Sequence, residues 1–323
     1  MIGKICGTGS YVPAHFLDNN DLAKIVDTSD EWIRERTGVI RRHIIEDETT
    51  VSMSVEASKR ALENSGIAPE ELDLILVSTF TSEVLLPSTA CEVQKELGAV
   101  NATGFDLNAA CTGFLFAYNT AQAYITSGIY RTVLVIGAES LSNTVNWEDR
   151  GTCILFGDGA GAAVLKASEG EFIRPVTHSD GSMGDALTCM SRHRKNRPAE
   201  EEDLDSYMKM DGQAVFKFAV RRVPEVIRET LEGTNITVRD IDYFVLHQAN
   251  RRIVESVAKR LKEDISKFPM NMDEYGNTSS ASIPILLDEM NHKGMLKSGD
   301  KLIMSGFGAG LSWGAAYLEW QSA

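Results

Sequence analysis

Residues 106–114 read DLNAACTGF and place a lone cysteine, Cys111, between a strand-like run and a long apolar helix-like run. A serine or an alanine would make the same turn without the oxidation risk. Residues 111–128 carry apolar or small side chains at helical spacing and close at Gly128, which predicts Cys111 at or near a helix N-terminus. Exposed N–H groups and the helix dipole favour an anion there, lower a thiol pKa and make a nucleophile. The alternative is a buried structural cysteine. The small neighbours Ala109, Ala110 and Gly113 favour the nucleophile, because they leave room for a ligand. His247 follows four apolar residues, at a strand end where open α/β sheets place functional groups, or else as a packed core histidine. Asn277 lies in YGNTSSASIP, either as a turn residue or as a side-chain donor. Residues 306–314, GFGAGLSWG, form a glycine-rich loop whose N–H groups could hold an oxyanion. That loop lacks the Lys-Ser/Thr of a phosphate-cradling loop and does not have G-x-G-x-x-G spacing.

The elements that must position these residues alternate between strand and helix, which predicts an α/β layered fold. Strands are expected at 72–79, 132–137, 241–246 and 300–305, rich in branched residues. Helices are expected at 29–38, 54–66 and 87–98, closed by Gly38, Gly66 and Gly98. An internal repeat is the most informative feature. LDLILVST starts at Leu72 and IDYFVLHQ at Ile241, 169 positions later; Gly137 and Gly306 are separated by the same 169. At that offset Asn108 falls on Asn277 and Cys111 on Ser280, while Ser78 occupies the place of His247. This predicts a duplicated α/β unit with halves 1–170 and 171–323, and an asymmetric site where matching strand ends meet. Residues 191–206 swing from basic to acidic and read as a solvated loop, with a flap over a ligand as the alternative.

The 323 residues are 43% hydrophobic and 24% charged, ordinary for a globular protein too long for one simple core. Thirty-two basic against 46 acidic residues leave a net charge of −14. That argues against general nucleic-acid or anionic-membrane binding, so an anionic partner needs a local basic patch. The longest apolar runs are far shorter than a membrane span, and the opening MIGKICGTGSYVP predicts no signal peptide. Five cysteines with no C-x-x-C spacing fit a reducing cytoplasm rather than a disulfide framework or a cysteine-based zinc site.

Taken together, NAACTGF, HQANRRI, GNTSSASIP and GFGAGLSWG resemble the thiolase superfamily, and within it the β-ketoacyl-[acyl carrier protein] synthase III group. SDEWIRERTGVIRRH and CILFGDGAGAAVL resemble that group as well, so the likeness covers essentially the whole chain. It implies a five-layered αβαβα fold of two similar halves, a homodimer, and condensation of a short acyl-CoA primer with malonyl-carrier protein. It implies no metal and no tightly bound cofactor. Cys111 resembles the acylated nucleophile, and His247 and Asn277 the pair that holds the malonyl thioester carbonyl during decarboxylation. The N–H groups of Cys111 and Gly310 resemble the oxyanion hole. Thr28, Trp32, Arg36 and Arg150 resemble CoA-binding residues, with Gly212, Phe216, Ala249, Asn250 and Arg252 along the substrate route. Trp32 and Arg36, four apart on one helix face, could take a flat adenine between them or form a surface cation–π pair. Lys217, Arg252, Lys259 and Arg260 resemble a patch for the acidic carrier protein, or are ordinary solvated helix charge.

Leu86 departs from the phenylalanine common at its place in the family, where the side chain reaches the partner subunit's acyl pocket, and Ala309 replaces a common third glycine. Asn277 in GNTS argues against the Cys-His-His elongating synthases, and the absence of cysteine from 306–314 against degradative thiolases. A hydroxymethylglutaryl-CoA synthase needs a glutamate acid, for which only Glu83 stands nearby, in an ill-matched context. A relative that moves the acyl group without condensation, a starter enzyme of a secondary-metabolite pathway and a silent partner subunit remain as other readings.

Overall fold

A computed structural model describes residues 1–190 and 207–321. The 191–206 segment expected as a solvated loop lies outside the described residues. The first sheet has five strands in the spatial order Ile2–Tyr11, Gly159–Ser168, Thr132–Glu139, Leu74–Ser78, Thr103–Leu107. The last three run parallel; the first two are antiparallel to each other, and Gly159–Ser168 is antiparallel to Thr132–Glu139. The second sheet follows the order Tyr243–Leu246, Lys301–Gly308, Ser312–Glu319, Val176–Ser179, with one parallel and two antiparallel pairings. Every strand of the first sheet therefore comes from residues 2–168 and every strand of the second from 176–319.

Two helices fill the space between the sheets, Gly113–Thr126 and Ser282–His292. Phe114, Leu115 and Tyr118 of one, with Ile283, Leu286 and Leu287 of the other, share a core with Leu76, Val135, Val245 and Met304 from both sheets. Each fully buried large apolar side chain contributes about 1.5–3 kcal/mol. The first turns of both helices are buried nearly all round, as helices sandwiched between two sheets require. Helices Thr50–Ser65 and Thr89–Leu97 cover the outer face of the first sheet, and Gly212–Leu231 and Arg251–Leu261 that of the second. The five layers αβαβα follow.

The caps read from the sequence operate. Ser29 accepts the Trp32 N–H at the start of Asp30–Thr37, and Gly38, Gly66 and Gly98 close their helices in the left-handed region. The second helix starts at Thr50 rather than 54, because Thr49 accepts the Ser52 N–H and so sets the boundary earlier. Among the described residues no helix is long and apolar enough to cross a membrane.

The 169-residue repeat reappears as geometry. Leu74 pairs with Val133 in the first sheet, and Tyr243 with Leu302 in the second, each shifted by 169. The 3-10 turn Ala110–Thr112 before one central helix matches Ser279–Ala281 before the other. Ala110 at φ +47° and Ser279 at φ +51° both occupy the left-handed region. Two non-glycine residues held there at equivalent places mark turns that the surrounding structure constrains, as functional turns often are.

Candidate active site

The two strained turns face each other at the centre of the molecule, and each is met by the end of a strand from the opposite half. Glu139 ends its strand in the first sheet, and its Oε1 accepts from Ser280 Oγ at 2.9 Å and from Ser279 Oγ at 3.4 Å. Its counterpart by the repeat is Gly308, at the end of a second-sheet strand beside Cys111. A methyl group on Gly308 would sit 2.8 Å from the Cys111 backbone nitrogen, so only glycine fits. The duplication thus puts a carboxylate against the Ser279–Ala281 turn and a bare glycine, packed closely on the Cys111 backbone, against the other.

Cys111 is 7% exposed and lies in the 3-10 turn just before the Gly113–Thr126 helix, whose N-cap residue Thr112 makes no side-chain cap. It lines a cavity of about 1160 Å³ together with Asn108, Ser279, Ala309, Phe80 and Met208. Leu86 stands on the same cavity wall and is 85% exposed. Ala309 lines this cavity, whereas Gly310, expected to supply an oxyanion N–H, is exposed at the tip of the hairpin between the last two strands. The thiol state also differs from the sequence expectation. Burial, with the nearby Glu139 carboxylate adding to it, pushes Cys111 up to about 12 against a hydrogen bond with Ser279 that pulls it down. The resting side chain is therefore the thiol. The helix end stabilises the thiolate once it forms, but does not by itself create it.

His247 and Asn277 are buried behind that wall, at 2% and 6% exposure. The Cys111 carbonyl oxygen and the His247 Cβ flank Gly306, 3.6 and 3.8 Å from where its own Cβ would stand. His247 Nδ1 and Ser282 Oγ share a 2.7 Å hydrogen bond, and the Gln248 N–H donates to the same oxygen at 3.4 Å. Nδ1 is the one acceptor the hydroxyl meets, so we assign the ring proton to Nε2. Burial takes the imidazole down to about 3, so the ring is neutral and acts as a donor. In the first half the same two positions are Ser78 and Gly113, packed directly on each other. The sequence had paired Ser78 with His247 but not Gly113 with Ser282.

Asn277 is strapped by residues 155–157 of the first half. Its N–H donates to the Leu155 oxygen at 2.8 Å, and its own carbonyl accepts the Gly157 N–H at 3.1 Å. Its side-chain oxygen accepts the Ser279 N–H at 2.9 Å, which turns the donor end of the amide away from the turn. The stretch CILFGDGAGAAVL therefore contributes the strap that fixes Asn277. Ser279 and Ser282, inside YGNTSSASIP, and Glu139, two residues past the strand expected at 132–137, were not singled out from the sequence. Nothing but tertiary contact distinguishes them from ordinary serines and a strand-end acid.

A replacement of Ser282 by alanine leaves His247 in place but frees its tautomer. Decarboxylation of a malonyl thioester should fall roughly 10–100-fold, with acylation of Cys111 unchanged, as read by CO₂ release and intact mass. Glu139 gives a pH signature. Burial raises its carboxyl from 4.5 to about 7. Between those values the folded chain holds a proton that the unfolded chain has lost, so stability falls as pH rises through the window and levels off above it. Glu139→Gln lacks that slope. The stability difference between the variant and the parent should move in the variant's favour by roughly 2–3 kcal/mol across the window, as measured by urea unfolding.

At the outer mouth, the Arg36 and Arg150 guanidinium groups lie 4.5 and 4.8 Å from the centroids of the Trp32 indole rings. Arg150 also donates to the Asp27 oxygen at 2.7 Å, and the Thr28 hydroxyl beside them is buried with no hydrogen-bond partner. Asn250 joins this cluster to the next helix: its Nδ2 donates to the Arg36 oxygen at 3.0 Å and its Oδ1 accepts the Arg252 N–H at 2.9 Å. Arg252 reaches over Phe216 at 5.7 Å, on a helix that Gly212 begins. Ala249 packs on the outer core of the second sheet. Lys217, Arg252, Lys259 and Arg260 are exposed on two packed helices and form no ion pair with another described residue.

A duplicated αβαβα body with a cysteine at the end of its central helix is a condensing enzyme of the thiolase fold, an acyltransferase. Family profiles match two parts of the chain: "3-Oxoacyl-[acyl-carrier-protein (ACP)] synthase III" over residues 105–181 and its "C terminal" counterpart over 231–320. The chain is 51% identical to the beta-ketoacyl-[acyl-carrier-protein] synthase III of Clostridium novyi (strain NT), over 98% of both chains. It is similar to the crystal structure of 3-oxoacyl-[acyl-carrier-protein] synthase III from Aquifex aeolicus VF5, at 44% identity and a TM-score of 0.92, covering 98% of this chain and 100% of that one. A priming beta-ketosynthase of the R1128 polyketide biosynthetic pathway matches at 39% identity and a TM-score of 0.94, over 99% and 97%. The chain belongs to the β-ketoacyl-[acyl-carrier-protein] synthase III family.

Proposed function

We propose that this chain primes fatty acid synthesis by joining a short acyl-CoA to malonyl-carrier protein, giving a β-ketoacyl-carrier protein, CO₂ and free CoA. The observation that carries the reading is the buried Cys111 at a helix end, beside a neutral His247 and an oriented Asn277 from the other half. Cys111 attacks the primer thioester and is itself a good leaving group later, which serine is not. The N–H groups of Cys111 and of Ala309, the loop residue on the cavity wall, receive the carbonyl oxygen; Gly310 is too exposed for that part. His247 Nε2–H and the Asn277 amide donate to the malonyl thioester oxygen as decarboxylation makes it an enolate. The reaction calls for no metal and no bound cofactor, since both thioesters are substrates.

Thr28, Trp32, Arg36 and Arg150 hold the CoA nucleotide, and Gly212, Phe216, Ala249 and Asn250 line the pantetheine route. The orphaned Thr28 hydroxyl supports this, because a buried hydroxyl without a partner is satisfied when a polar ligand arrives. Trp32→Ala removes the stacking face, and KM for acyl-CoA should rise roughly 10-fold with kcat little changed in a steady-state assay. Lys217, Arg252, Lys259 and Arg260 receive the carrier protein. On a chain of net charge −14, this unpaired basic group steers an acidic partner to the mouth. The halves 1–170 and 171–323 act as one unit, and a second copy closes over the exposed Leu86 in a cytoplasmic homodimer.

Intact-mass spectrometry after incubation with a panel of acyl-CoAs tests the reading. One acyl adduct that malonyl-carrier protein then discharges as a β-ketoacyl product supports it; an adduct that is released without condensation makes the chain a simple acyltransferase. The likeness to a priming polyketide ketosynthase favours a second reading, a starter enzyme of a secondary pathway. Preference among the primers separates the two.

A further inference from the structure

Cys111 rests as a thiol, so its proton must go somewhere before the sulfur can attack. The neutral His247 is too weak a base for this, and its Nδ1 already faces Ser282. Among the described residues, Glu139 is the carboxylate that reaches the turn opposite the thiol, through Ser279 and Ser280. Glu139 is fully buried, and both of its carboxylate oxygens are occupied by neutral donors. Oε2 accepts from Thr81 Oγ1 at 2.8 Å, the Phe80 N–H at 3.2 Å and Thr79 Oγ1 at 3.3 Å; Oε1 accepts from the Ser280 and Ser279 hydroxyls. It forms no ion pair with any described residue, and the titratable groups that feel it are the thiols of Cys111 and Cys189. The Ser279 hydroxyl donates to Glu139 Oε1 at 3.4 Å, and Ser279 lines the same cavity as Cys111, where its hydroxyl favours the thiolate.

We propose that Glu139 takes the Cys111 proton through the Ser279 hydroxyl, which makes it a proton-relay residue for the acylation step. The proposal rests on the functional reading above. The thiol proton passes to Ser279 Oγ as the hydroxyl proton passes to Glu139 Oε1. The negative charge moves from the carboxylate to the sulfur and is not created anew. It arrives at the N-terminus of the Gly113–Thr126 helix, where N–H groups favour it. The thiolate then forms the S–C bond to the primer carbonyl, and the C–S bond to CoA breaks. The expelled CoA thiolate takes a proton from solvent. In the second half-reaction the enolate carbon displaces Cys111, whose thiolate recovers the stored proton from Glu139 by the same route. With a carboxyl held near 7, the relay has a base matched to neutral pH.

Glu139→Gln and Ser279→Ala test this in the full-length protein. Three rates are read at neutral pH: alkylation of Cys111 by iodoacetamide, acylation by acyl-CoA, and CO₂ release from malonyl-carrier protein. The relay predicts that each variant slows alkylation and acylation about 10-fold or more, with CO₂ release within about twofold of the parent. The double variant should be no slower than the slower single one, because the two residues serve one path. Acylation at or above the parental rate in either variant overturns the proposal, since Glu139 would then act only as a charge that raises the thiol. A parallel loss in all three rates overturns it too, as a merely structural effect. Ser279→Ala decides the matter alone if Glu139→Gln does not fold. The adduct on the unmodified protein reports separately on the functional reading: if that protein takes no acyl group, the reading fails, while the alkylation rates still judge the relay.

Discussion

With Cys111 replaced by alanine, the protein should take no acyl group from any acyl-CoA, and condensation should fall by at least about 10³-fold. The size of the effect follows from covalency. Without the sulfur there is no acyl-enzyme, and holding two thioesters side by side does not replace a bond. Decarboxylation of malonyl-carrier protein should persist, because His247, Asn277 and Ser282 are untouched and none of them hydrogen-bonds through the sulfur. Comparing the adduct by intact mass with CO₂ release checks both halves of this expectation. A variant that still acquires an adduct would move the nucleophile elsewhere, with Cys189 on the same cavity wall as the first place to look.

His247→Ala and Asn277→Ala should give the opposite pattern. Acylation of Cys111 proceeds, and CO₂ release drops by roughly 10²–10³-fold in each. Decarboxylation places a negative charge on the thioester oxygen inside a buried site. Water cannot solvate it there, so two preoriented donors carry most of the stabilisation. Losing either one costs nearly the whole effect if both donate to the same oxygen, so the double variant should be less than the product of the singles. An asparagine-to-aspartate exchange is harsher still, because it puts a like charge where the enolate forms. Loss of acylation in His247→Ala would show instead that the imidazole deprotonates the thiol, and would remove the need for a relay through Glu139.

Local sequence was enough for the caps. Ser29, Gly38, Gly66 and Gly98 act through bonds within a few residues, so their effect does not depend on the rest of the chain. The duplication was legible as well. Gly137 and Gly306 sit at matching strand positions; Gly137 must lack a Cβ because the Ser280 backbone approaches it, whereas a Cβ on Gly306 would only touch the Cys111 oxygen at 3.6 Å. The closeness of Cys111, His247 and Asn277 was legible only as a consequence of that symmetry and of a family resemblance. The loop posed a one-residue question: Ala309 lines the cavity, while Gly310, expected to supply an oxyanion N–H, is exposed at the hairpin tip. Side-chain direction in a turn depends on its dihedral angles, and a run of glycine and alanine does not specify those.

What the sequence by itself determined is the set of chemical groups and the frame that repeats them: a cysteine at a predicted helix end, a histidine at a strand end, an asparagine in a turn, and two copies of one α/β unit. The tertiary structure decided the protonation state of each group. Burial keeps Cys111 a thiol, keeps His247 neutral and lifts Glu139 toward neutrality, while Ser282 and Ser279 direct the protons. These are effects of desolvation and of contacts between residues as far apart as Glu139 and Ser280. They arise when the two halves close on each other, because only then does water leave the space between the two turns.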